Sequence, residues 1–161
     1  VALSYEYDPC DFLKAKEMQQ KRDSETFKKS QADDLTNMQT GIFGYKGRVH
    51  FQTGLCINEE LEALRGLPKT EVFTQVSALI DKYIHRNYRL YPGNYVACDL
   101  LNGTETFAGK YSPEEKKRFE AYLQKKLDLI QLPNKDEDFL RQRILTMYAN
   151  PAINHLKAIA Q

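Results

Sequence analysis

The sequence predicts a predominantly α-helical protein with a small β component of two short strands. Helix starts recur along the chain, at Asp11, Ser24, Asn58, Thr70, Ser112 and Asp136. Apolar residues follow most of these starts at intervals of three and four. Two stretches alone, 1–7 and 48–52, alternate with the period of a strand. Helix is therefore expected over more than half of the residues.

Taken in order, Val1–Tyr7 alternates small, apolar and aromatic residues and stops at Asp8-Pro9, where proline removes an N–H and holds its neighbour extended. Asp11 is the expected N-cap of a helix to about Asp23, and Ser24-Glu25 starts a second helix to about Gln39. Their thin stripe of Phe12, Leu13, Met18, Phe27, Leu35 and Met38 predicts surface helices packed on one side. Arg48–Gln52 is the second strand, closed by Thr53-Gly54. Asn58 caps a short helix to Arg65, with acidic residues at the positive end of its dipole. A longer helix runs from Lys69 or Thr70 to about Tyr88, carrying Val72, Val76, Leu79, Ile80, Tyr83 and Ile84 on one face. Pro92-Gly93 breaks it, and Tyr95–Leu101 adds one or two turns before the Asn102-Gly103 turn. Ser112-Pro113-Glu114-Glu115 combines a cap, a proline in the first turn and a glutamate three residues after the serine. Phe119, Tyr122, Leu123, Leu127 and Ile130 follow at helical spacing. The last helix begins near Asp136, shows Leu140, Ile144, Met147 and Tyr148, and meets Pro151, which is expected to kink or split it.

The 161 residues form a single domain or a piece of one: 1–57 as strand, helical insertion and strand, then 58–161 as a helical region. With 42% hydrophobic and 28% charged residues, 8 Gly and 6 Pro, the chain is neither collagenous nor disordered. Lys+Arg 23 against Asp+Glu 22 leaves +1, so no global charge recruits nucleic acid, and none is expected as a partner. No apolar run approaches the roughly 20 residues of a membrane span. Cys10, Cys56 and Cys98 are odd in number and widely spaced, reading as reduced thiols of a cytoplasmic protein. Val1 stands inside a strand-like run, and the expectation is a fragment of a longer protein.

His50, His85 and His155 have no His or Cys at metal-ligand spacing, so no metal site is expected. There is no G-x-S-x-G elbow, phosphate loop or G-x-G-x-x-G. One segment is unusual: Lys82 to Tyr91 interleaves cations with tyrosines. Lys82, Arg86 and Arg89, spaced four and three, are expected on one side of a helix, able to meet phosphate headgroups. Tyr88 and Tyr91 suit a lipid–water boundary. The plainer reading is preferred here: cations answer a helix C-terminus, and tyrosine rings pack while their hydroxyls reach water.

Two stretches resemble a family. Val1-Ala2-Leu3-Ser4-Tyr5 resembles the end of the strand motif that closes the catalytic domain of glycerolipid acyltransferases. Gly47-Arg48-Val49-His50-Phe51-Gln52-Thr53-Gly54-Leu55-Cys56-Ile57 resembles the strand-plus-glycine segment that follows it. With Tyr5-Glu6-Tyr7-Asp8-Pro9-Cys10 and the helical tail, the chain is similar to bacterial lysophosphatidic acid acyltransferase-like proteins. The resemblance implies the C-terminal part of an α/β acyltransferase fold, with residues 11–40 as a helical insertion. The family moves an acyl group from acyl-CoA or acyl carrier protein to a lysophospholipid hydroxyl, using an H-x-x-x-x-D pair. That pair is absent: the fifth residue after His50 is Leu55, after His85 Leu90 and after His155 Ala160. No catalytic residue is carried over, no cofactor is expected to be bound, and the chain alone is expected to be inactive. The resemblance further implies a place at the periphery of the inner membrane and a lysophospholipid or membrane partner through the parent protein. Unpaired strand edges suggest a homodimer. The alternative function is a non-enzymatic helical module that binds a protein or an anionic ligand.

Overall fold

Five of the six expected starts hold at or within a residue, and they set the element order. The computed structural model describes residues 1–160. It contains β1 (Ala2–Tyr5), α1 (Asp11–Asp23), α2 (Gln31–Phe43), β2 (Val49–Gln52), α3 (Asn58–Ala63), α4 (Lys69–Arg86), α5 (Pro92–Asn102), α6 (Pro113–Asp128) and α7 (Glu137–Ile159). Helix makes up 64% and the sheet has two antiparallel strands, as the caps and the two alternating stretches require. Among the described residues no helix is long and apolar enough to cross a membrane.

The core forms where α5 lies along α7, with α1 and α6 completing the bundle and α4 flanking α7. Phe119, Leu123, Leu127 and Ile130 come from the stripe read on α6, and Leu140, Ile144 and Tyr148 from that on α7. Ala97, Cys98, Ala149 and Ala152 are almost wholly buried along the α5–α7 seam, where small side chains let two helix backbones approach. Each fully buried leucine contributes about 1.5–3 kcal/mol of transfer free energy.

Five expectations are corrected. Cys10, not Asp11, precedes the first turn of α1, and Asp11 is fully buried inside it. The second helix starts at Gln31 because Ser30 and Asp33 cap each other reciprocally; Ser24 instead ends α1. Leu35 and Met38 are more than half exposed, at 56% and 62%, so α2 does not pack through its apolar stripe. Pro92 opens α5 rather than only ending its predecessor, and α5 is a central element with Val96, Ala97, Cys98 and Asp99 buried. Proline suits that first position because its missing N–H has no helical partner there. Finally, α7 is not split at Pro151 but continues to Ile159, with Ala149 and Ala152 buried where it packs on α5.

At the other end of α5, Gly103 takes φ 63°, a left-handed geometry that ends the helix and that a side chain would strain. Asp99, on the last turn, then organises the loop to α6. It accepts from Thr104 Oγ1 at 2.9 Å, the Phe107 N–H at 3.0 Å and the Tyr111 hydroxyl at 2.8 Å.

The strands pair Ala2 with Gln52, Leu3 with Phe51, Ser4 with His50 and Tyr5 with Val49. Ala2 and Ser4 turn inward and are buried, and Ser4 Oγ accepts the Arg89 N–H at 2.9 Å. Opposite residues of an antiparallel pair share a face. Leu3, Tyr5, Val49 and Phe51 therefore form one outer face, exposed by 38, 39, 43 and 68%. The ribbon is covered by helices on one side only.

Candidate ligand cleft

The five residues expected to meet a headgroup are not gathered onto one surface. Lys82 and Arg86 lie on α4, but the helix stops at Arg86, where the Asn87 side chain donates to the Tyr83 carbonyl at 2.8 Å. Arg89 lies beyond the helix, so the three cations do not share a helical face. Tyr91 is only 4% exposed, with the Arg48 guanidinium 5.0 Å above its ring, which removes it from any lipid–water boundary. Tyr88 is half-buried against His85, 5.6 Å between ring centres. Tyr88 and Arg89 line a small cleft of about 180 Å³ that also contains Asp8, a poor companion for a phosphate.

A more developed site adjoins it, at the start of α1, and shares Asp8 and Tyr148 with it. Asp8-Pro9 turns the chain: Asp8 Oδ1 accepts the Cys10 N–H at 2.9 Å, and the Asp8 carbonyl accepts the Asp11 N–H at 3.2 Å. The turn aims Asp11 into the bundle. Its Oδ2 accepts the Tyr122 hydroxyl at 2.6 Å and the Tyr148 hydroxyl at 2.9 Å, while Oδ1 lies 3.3 Å from Lys126 Nζ. Tyr148 in turn accepts the Asp8 N–H at 2.9 Å, so α1, α6 and α7 meet in one network. Burial pushes the Asp11 carboxyl up; the Tyr122 hydroxyl, Lys126 and Tyr148 pull it back. Burial and the Asp11 charge push both phenols well above their ordinary range.

Above this floor opens a cleft of about 570 Å³ between α1, the end of α2 and α6. Its walls are Tyr7, Phe12, Tyr122 and Leu129, with Tyr7 packed 4.3 Å from Tyr122 and Tyr45 stacked 5.9 Å from Tyr7. A Cβ at Gly44 would collide with Pro9 and the Thr40 carbonyl, so glycine is required where α2 ends against the mouth. Lys126 lies over the Phe12 and Tyr122 rings at 4.9 and 5.4 Å. Arg118 and Lys125 stand at the rim, exposed, and neither joins an ion pair among the described residues.

Chemically the cleft is built to bind. Its phenols are poor proton donors near neutrality, its carboxylate is sealed, and burial with the Asp8 charge pushes the neighbouring Cys10 thiol up, away from the reactive thiolate. Sequence reasoning missed the cleft. The legible signal was the polar face of α6, where Arg118, Ala121, Tyr122 and Lys125 follow at helical spacing. Nothing in the sequence distinguishes Asp11 from a capping aspartate.

Among the described residues no group of three or more His, Cys, Asp or Glu side chains converges as a metal site. Comparison with protein-family models, with curated proteins and with solved structures returned no match.

Proposed function

We propose that this chain is the C-terminal part of a glycerolipid acyltransferase-like protein, holding no acyl-transfer chemistry of its own. The supporting observation is the β1–β2 ribbon. The two stretches that carry the resemblance, some forty residues apart in sequence, are hydrogen-bonded partners. Their outer face of Leu3, Tyr5, Val49 and Phe51 is left uncovered, as it would be where a sheet continues into another layer. On this reading the parent protein uses acyl-CoA or acyl carrier protein as donor and a lysophospholipid as acceptor. It works in the cytoplasm at the periphery of the inner membrane.

The experiment is to express the intact gene beside the 161-residue chain and assay acyl transfer to lysophosphatidate. Activity is expected only from a longer product that carries an H-x-x-x-x-D upstream. An intact gene without that motif, or activity in this chain alone, overturns the reading. If a second copy covers the ribbon instead, sedimentation shows a dimer that Phe51→Lys dissociates.

The non-enzymatic module remains the second reading, and the cationic cleft over Asp11 favours it.

A further inference from the structure

The cleft beside α6 joins two properties that ligand sites combine. It is apolar along its walls, and two cations without ion-pair partners stand at its rim. Its volume of about 570 Å³ falls within the roughly 300–1,000 Å³ of small-molecule sites. Arg118 and Lys125 are separated by two helical turns, roughly 10 Å of axis. Between them Ala121 leaves a gap in the rim, and Leu129 extends the apolar track one turn further.

Lys126 belongs to the floor, already paired with Asp11 and donating to the Pro9 carbonyl at 3.2 Å. The charge offered to a ligand is therefore that of Arg118 and Lys125. Glu6, adjoining Tyr7, is gripped by Arg48 through two 3.0 Å bonds, and Arg118 is close enough to help hold its carboxyl down. A dianionic head at Arg118 would meet this carboxylate, whereas a monoanion accepts the guanidinium fork with less repulsion.

We propose that this cleft binds one long-chain fatty carboxylate, its chain along Tyr7, Phe12, Tyr122 and Leu129 and its head at Arg118 and Lys125. The proposal goes beyond the acyltransferase reading and is independent of it, because it requires no catalytic group and concerns this chain alone.

Calorimetric titration of the full chain with palmitate below its micelle concentration tests it. Wild type is expected to bind saturably with a single ligand per chain. Ala121→Trp, a change at an exposed position that fills the gap, is expected to weaken binding at least about tenfold, with the helical circular dichroism retained. Arg118→Gln with Lys125→Gln is expected to do the same. Hexadecanol, which lacks charge, and acetate, which lacks a chain, are expected to bind at least about tenfold more weakly. Absence of saturable palmitate binding overturns the proposal, as does wild-type affinity in the Ala121→Trp variant or equal binding of hexadecanol. Tighter binding of hexadecyl phosphate than of palmitate overturns the choice of a carboxylate. None of these outcomes bears on whether an upstream catalytic motif exists.

Discussion

Asp11 shows how one side chain can tie three helices. It is wholly buried, yet each polar group near it donates: two phenols, a backbone N–H and an ammonium. Tyr148→Phe removes one donor to a buried carboxylate and leaves the Asp8 N–H without its acceptor. It is expected to cost about 1.5–3 kcal/mol in urea unfolding. Tyr122→Phe made in the same background should cost more than it does alone, since both phenols serve one buried oxygen and the second loss leaves it without a phenol donor. Tyr111 supplies a pH signature. Burial and its bond to Asp99 raise its hydroxyl from 10.0 to about 12. The folded state therefore holds this proton more tightly than the unfolded chain does. The associated stability is complete below pH 10.0 and is lost as pH rises towards about 12. Tyr111→Phe should be less stable at neutral pH and lose less stability across that interval, as denaturant midpoints at several alkaline pH values will show.

Among the elements, the two reciprocal caps are chemically alike and differ in what they support. Ser112 starts α6, whose Phe119, Leu123 and Leu127 are core, whereas α2 behind Ser30 buries no residue. Ser112→Ala is expected to lower global stability by about 1 kcal/mol. Ser30→Ala should instead speed amide exchange within α2 and leave the global midpoint nearly unchanged. The same contrast explains what was legible in the sequence. On α6 the cap, the proline and the apolar spacing agree, and the helix lies as read. On α2 the apolar spacing suggested a packed face, but the side towards the protein carries Asn37 and Gly41 on Cys10. Leu35, Met38 and Ile42 point to solvent. Periodicity reveals that a stripe exists and does not reveal what covers it. Pro92 misled for a related reason: proline is equally at home ending one helix and opening the next. Of the cleft, only its α6 side was legible, because the whole joins residues about 110 positions apart, Phe12 and Tyr122, that only the tertiary fold brings together.

At the scale of the whole molecule, stability is layered: a dense α5–α7 seam, a bundle around it, and a lightly seated α2. The free thiols sample these layers, with Cys98 buried in the seam, Cys10 half-buried beneath α2 and Cys56 exposed. Cys10 donates to the Asn37 carbonyl at 3.4 Å, so a reagent reaches it when α2 lifts. The chain thus carries its own set of clocks. An alkylating reagent followed by mass spectrometry should modify Cys56 at once, Cys10 at a rate set by α2 opening, and Cys98 only on global unfolding. Ser30→Ala should quicken the second clock and spare the third. If Cys10 and Cys98 react together, α2 and the bundle open as one unit, and the fold is a single cooperative body rather than a core with a hinged flap.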